Sequence, residues 1–364
     1  MNLQTWAAFR SENRARTPRF TALTAAPAFF AATIGLSSCA GSGLQSTPGS
    51  QTAAAAIGSR AASHRAALAQ CPCLYVADRG EQSVTVYPAA ASGNVAPIAT
   101  IAGSNTGLNS PWGVALDPSA NLYVTSTMDD SVVVYPAGSN GNVAPATTIA
   151  GSSTGMDEPA GIALDSNLNV YVANYSNSTV SVFAAGASGD AVPMQYIAGS
   201  STGLSTPTGI ALDGDGNIYV ANSNDDSITV YAAGASGNVA PIRTISGSQT
   251  SLSTPAGITL DAQGNLYVAN AAERQPLQGD FSITVFAAGA NGNVAPTRII
   301  DGKKSKLDGP YGILRDANDL IHVANFESGN IVTFSQGAAG DVRPVSTLKG
   351  KKTKLKDPVD IAIQ

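Results

Sequence analysis

The sequence predicts an all-β fold, a six-bladed β-propeller built from four-stranded antiparallel blades. Three observations lead to it. Prolines at Pro111, Pro159, Pro207, Pro255, Pro310 and Pro358 mark a repeat with spacings of 48, 48, 48, 55 and 48 residues. A tetrapeptide of Tyr-Val-Ala-Asn type recurs six times, starting at Tyr75, Tyr123, Tyr171, Tyr219, Tyr267 and His322. Each unit also contains four short strand patterns separated by turn residues, the signature of a propeller blade rather than a helical solenoid.

The N-terminal segment reads as an export signal. Arg10, Arg14, Arg16 and Arg19 form a basic leader, and an apolar run from Phe20 to Leu36 follows. That run is short for a membrane span, contains Pro27 and ends in small polar residues, so residues 1–38 are expected to be a signal peptide. Its end, Leu36-Ser37-Ser38-Cys39, resembles the lipobox of bacterial lipoproteins. The resemblance implies cleavage before Cys39, a lipid on its thiol and, with Ala40 next, outer-membrane sorting. Residues 39–70 are Ala-, Ser- and Gly-rich without a strand pattern, and are expected to be a flexible tether spanning roughly 30 Å.

Residues 71–364 form the expected propeller domain. In the unit that starts at Leu204, strand a is the GIALD segment, b is NIYVAN, c is SITVYAA and d is PIRTISG. A tight Asp/Gly/Asn turn such as Asp213 to Asn217 joins a to b, and a longer Gly/Asn loop ending in proline joins c to d. Alanines beside the tyrosine of strand b suit a sheet packed on both faces. The first unit begins at strand b, at Leu74, and the last segment, Pro358 to Ile363, is a strand a with nothing after it. The C-terminal strand is therefore expected to complete the N-terminal blade and remove an open edge.

The Pro-x-Gly-Ile, Leu-Asp-x-x-Gly-Asn and Tyr-Val-Ala-Asn elements resemble NHL-repeat propellers and the related YVTN repeats over residues 74–364. The resemblance implies a fold and leaves activity open, because this architecture hosts enzymes, sensors and scaffolds alike. Some six-bladed relatives are lactonases that hold a divalent metal in the central channel. The corresponding channel positions here are Trp112, Ala160, Thr208, Ala256, Tyr311 and Val359, none a good ligand for a hard cation. Asp360 takes a glycine position but stands alone. Other relatives are lyases dependent on histidine, and this chain has only His64 in the tether and His322 in a strand. His322 reads as a core residue in place of tyrosine. Asp213-Gly-Asp215-Gly-Asn217 reads as a turn rather than a calcium loop. The three cysteines are too few for a disulfide framework, and Cys71-Pro-Cys73 reads as incidental or as a redox-labile pair. No cofactor, no metal and no catalytic residue is assigned.

Charge points to a surface. Residues 71–300 hold 16 acids against 4 arginines, whereas residues 301–364 hold 8 acids against 8 lysines and 2 arginines. So acidic a body argues against nucleic-acid binding, which needs a wide basic footprint. Strand order places the b–c and d–a loops on the side of the disc that carries the channel mouth, and the a–b and c–d turns on the other. Lys303, Lys304 and Lys306 fall in one d–a loop, and Lys349, Lys351, Lys352, Lys354 and Lys356 fall in or beside the next. A seven-residue insertion lies nearby within Ala271 to Ser282, and Trp112 and Tyr311 add aromatic surface at the mouth. The function expected is a membrane-tethered binding or scaffold propeller of the bacterial cell envelope. Its partner is an envelope protein, a glycan or an anionic surface. The alternative is a lactonase- or lyase-like enzyme with an unrecognised site.

Overall fold

The computed structural model describes residues 72–272 and 281–364. The expected signal peptide, Cys39, the tether, Cys71 and residues 273–280 of the inserted loop lie outside them.

Six four-stranded antiparallel sheets form the ring. Strand a of each blade packs against strand a of the next, and the sixth returns to the first. These inner strands are Pro358–Ile363 in blade 1, Pro111–Leu116 in blade 2, Pro159–Leu164 in blade 3, Pro207–Leu212 in blade 4, Pro255–Leu260 in blade 5 and Pro310–Arg315 in blade 6. Closure follows the expected route. The C-terminal strand pairs with Cys73–Asp78 in the register Leu74 to Ile363 and Val76 to Ile361. In blade 4, strands b (Ile218–Asn222) and c (Ser227–Tyr231) are buried at every residue, because neighbouring blades cover both faces. Tyr219, Ile228 and Val230 of blade 4 share a core with Ile258, Val268 and Phe286 of blade 5. Each such side chain contributes about 1.5–3 kcal/mol on burial.

The repeat motifs have local causes. In the a–b turn of blade 4, Asp213 Oδ1 accepts the N–H groups of Asp215 and Asn217 at 3.0 and 2.8 Å. Its Oδ2 accepts the Asn217 side-chain amide at 2.8 Å. This is an Asx turn, so Asp213 is spent on the backbone.

The c–d loop needs a correction. It is not confined to the a–b side but climbs the outer edge of the preceding blade. The N–H of Gly237 in blade 4 donates to the Tyr196 carbonyl of blade 3 at 2.7 Å, and the Gly237 carbonyl accepts Ala198 N–H at 3.2 Å. Asn238 Oδ1 then accepts Ser201 N–H at 2.7 Å, at the start of the d–a loop of blade 3. The same bond recurs at Asn142, Asp190, Asn293, Asp341 and Asn94. Every outermost strand is thereby covered, which blunts the edges that would otherwise pair with other chains. It also accounts for the shortness of strand d, three residues in blade 4 (Arg243–Ile245), against the longer segment expected.

The glycine after the inner-strand proline answers to the same crowding. A Cβ on Gly161 would sit 2.6 Å from the Thr208 carbonyl oxygen of the next blade. Gly161→Ala is therefore expected to cost about 1–3 kcal/mol. The control Gly214→Ala, at an open turn position, is expected to be close to neutral. Urea unfolding of both variants checks this.

Candidate functional site

The inner strands enclose a narrow axial channel. Each a–b pairing slips its register just after the proline, as between Pro111 and Val114 or Pro310 and Ile313. The slip falls at the residue between proline and glycine, and Trp112, Thr208, Ala256, Tyr311 and Val359 at this position line the channel. A cavity of about 40 Å³ lies beneath, lined among others by Trp112, Thr208, Tyr311 and Asp360, with room for a few waters. Asp360 stands where the other five blades place glycine. Its Oδ2 accepts Val114 N–H and its Oδ1 accepts Ile361 N–H, both at 2.9 Å. Burial, opposed by these two bonds, pushes its carboxyl up to about 7. Among the described residues no group of three His, Cys, Asp or Glu side chains is placed to hold a metal ion.

An aromatic row crosses the mouth. Trp112 lies 6.1 Å from Tyr175 and 5.9 Å from Tyr311, and Tyr311 lies 5.3 Å from Phe326, centroid to centroid. Trp112 is only 6% exposed, so it is not the open surface that the sequence suggested; Tyr175, Tyr311 and Phe326 are half-buried. The Arg79 guanidinium sits 4.6 Å over the Trp112 ring, and its Nε donates to Ser110 Oγ at 2.9 Å. Burial draws Arg79 down from its ordinary value, opposed by the nearby Tyr311, Asp357 and Glu158. Burial also pushes the Tyr311 hydroxyl up.

Arg79, Tyr175 and Phe326 were not singled out from the sequence, although a signal was present. Each is the first residue of a b–c loop, a position filled elsewhere by Thr127, Ser223 and Ala271. Its backbone N–H donates to the carbonyl just before the inner-strand proline: Asp357 for Arg79, Glu158 for Tyr175 and Gly309 for Phe326. The backbone is thus fixed in every blade while the side chain is free to vary.

All eight lysines are exposed. Lys303–Ser305 and Lys351–Thr353 each form a single 3-10 turn in the d–a loops that follow blades 5 and 6. Lys306 and Lys354 adopt φ of 57° and 60°, at the position that Gly107, Gly155 and Gly203 fill in other blades. Left-handed backbone disfavours a side chain by about 1–2 kcal/mol, so these loops carry charge at a local cost. Lys304 Nζ pairs with Asp341 Oδ2 at 3.2 Å, but both side chains are largely exposed and the pair adds little. Lys356 lies closer to the mouth. Its Cδ would be 2.8 Å from a Cβ on Gly80, and its carbonyl oxygen 2.9 Å from one on Gly329.

Blade 6 also departs from the repeat away from this face. His322 is 3% exposed, with Nδ1 and Nε2 each 3.2 Å from Thr333 Oγ1 and Asp316 Oδ2 respectively. The three side chains form a hydrogen-bond chain that runs from the buried Thr333 to the partly exposed Asp316 at the a–b turn. Arg315 replaces leucine, meets Asp319 at 2.6 Å and Asp261 at 3.6 Å, and lies 5.0 Å over the Tyr267 ring, joining blades 5 and 6.

These features define a six-bladed β-propeller with an aromatic, lysine-flanked mouth. Within the chain, the NHL repeat model matches residues 156–183 and the Beta-propeller repeat model matches residues 194–223. No curated protein matches. Among solved structures, a protein of unknown function from Bacteroides caccae aligns with TM-score 0.56 and 12% identity, covering 81% of this chain and 99% of that one. A chain of a nidogen–laminin complex aligns with TM-score 0.53 and 17% identity, covering 80% and 98%. A proposed 6-phosphogluconolactonase from Bacteroides fragilis gives 0.51 and 14%, covering 80% and 98%. At these identities the likeness is one of fold.

Two outcomes are expected from the site itself. Asp360 has a folded pKa above its ordinary value of 3.8, so the folded state holds the proton that the unfolded state releases. Its unfavourable contribution is absent below about pH 4, grows as pH rises and is complete above about pH 7. Asp360→Asn is therefore expected to melt with the wild type at pH 4 and several degrees above it at pH 8, which thermal unfolding across that range checks. Lys306→Gly and Lys354→Gly are each expected to raise stability by up to about 1 kcal/mol, seen as a higher denaturant midpoint.

Proposed function

We propose that the protein is a binding propeller of the bacterial cell envelope, tethered to a membrane through a lipid on Cys39. It recognises an anionic partner on its b–c/d–a face. The observation that carries this reading is the pair of lysine loops on neighbouring blades. All their lysines are exposed, and two occupy left-handed backbone that other blades give to glycine or, at Ser251, to a small residue. Solubility alone would be served by lysine at an unstrained position. Clustered charge on an otherwise acidic body raises the on-rate for a partner of opposite sign and orients its approach. The lipidated cysteine and the tether would keep the disc near the bilayer while leaving that face able to turn toward its partner.

The test is retention of the Cys39→Ser protein, which has no thiol to take the lipid, on isolated envelope material at low and high salt. A variant with Lys303, Lys304, Lys306, Lys351, Lys352 and Lys354 changed to Glu runs beside it. Retention with the lysines intact is expected to fall with salt, and the lysine variant in the same Cys39→Ser background is expected to wash through at both. Equal retention of the two overturns this reading, and Asp360 with a lactone-hydrolysis screen becomes the next place to look.

A further inference from the structure

We infer that the partner is an acidic polysaccharide, lying along the lysine loops with a sugar ring stacked at the aromatic row; this rests on the anion-binding reading of the face.

The path is the first observation. Lys352 N–H donates to Asn94 at the outer edge of the disc, whereas Lys356 is wedged beside Gly80 and Gly329. Those glycines belong to the b–c loops that bring Arg79 and Phe326 to the mouth. One lysine loop therefore runs from rim to axis and ends against the aromatic row. An extended chain of spaced negative charges fits that track.

The row is the second. Four rings in sequential contact, three of them half-exposed, offer a continuous apolar platform. Tyrosine and tryptophan combine such a face with a polar edge. The C–H face of a pyranose ring matches it in size and polarity. A flat bilayer would meet the lysines without reaching a row whose central ring is 6% exposed.

Acids at the mouth are the third. Glu327 is exposed on the loop that carries Phe326, and Asp357 precedes the closing strand. Carboxylates accept hydrogen bonds from sugar hydroxyls, which a polysaccharide supplies at every residue. A DNA strand also stacks on aromatic rings beside lysines. Its backbone, however, offers phosphates and no hydroxyl donors to satisfy those acids, whereas each sugar of an acidic polysaccharide brings hydroxyls beside its carboxylate.

The test uses the full chain with Cys39→Ser, which cannot be lipidated, and four probes: polygalacturonate, neutral dextran, an oligothymidylate, and phosphatidylcholine vesicles containing phosphatidylglycerol. Calorimetry gives affinity. Trp112, the one tryptophan among the described residues, reports contact with the row by its emission. Polygalacturonate is expected to bind, to shift that emission and to weaken by tenfold or more between low and high salt. Tyr175→Ala and Phe326→Ala are each expected to weaken it about tenfold with little change in unfolding midpoint, and Lys354→Gln with Lys356→Gln to flatten the salt dependence. Polygalacturonate binding no better than dextran, or indifferent to both aromatic variants, overturns the inference. If vesicles or the oligothymidylate bind through the lysines while polygalacturonate does not, the anionic face stands and the polysaccharide falls. Loss of all lysine-dependent binding, envelope retention included, removes both.

Discussion

Six inner strands approach the axis so closely that a single β-carbon has no room between them. This contact sets the rest of the molecule. It forces glycine at Gly113, Gly161, Gly209, Gly257 and Gly312, and it brings the carbonyl groups of one blade against the backbone of the next. The lone exception, Asp360, is tolerated because its carboxyl reaches across to Val114 N–H and so joins the closing strand of blade 1 to blade 2. That exchange places one acid in the channel, where burial keeps its proton close to neutrality. The residue just before each glycine sits at the register shift of the same strand. The crowding at the axis and the row of rings above it are consequences of one geometry.

The outer rim is handled by a different device with the same economy. Each Gly-Asn or Gly-Asp pair of a c–d loop holds the neighbour's outermost strand and the start of its d–a loop. With that loop anchored at its beginning, and the b–c loop anchored to the carbonyl before the inner-strand proline, the stretches between can change without disturbing the core. The lysines, Arg79, Tyr175 and Phe326 all occupy such stretches.

Much of the fold was legible because repetition exposes it. Prolines, tyrosine tetrads and Asx turns recur in phase, so blade count, strand order and closure by the last strand follow from the sequence. The role of Asn238 was not legible. Asparagine after glycine in a loop signals a turn, and its bond to Ser201 belongs to a different blade. The site was legible only in part, since it is made of exceptions. Trp112, Tyr311 and the lysines stood out against their repeats by charge or size. Arg79, Tyr175 and Phe326 did not, because a b–c loop invites variation and nothing local says that three blades aim their first loop residue at one point. His322 was correctly placed in the core, but its pairing with Thr333 depends on a strand register that sequence pattern does not specify.

Closure by the last strand also bears on how the molecule comes into being. Asp78 accepts the backbone N–H of Lys356 across a separation of 278 residues, and the pairing that completes blade 1 is just as remote in the chain. Until residues 358–363 arrive, blade 1 has three strands and the ring is an open arc with unpaired backbone at one end. Contacts of such long range are slow to form, since the intervening chain must first be brought to order. The final strand therefore acts as a clasp fastened last. Any factor that guards an unfinished chain would find the inner edge of blade 1, between Cys73 and Asp78, to be the part left open longest.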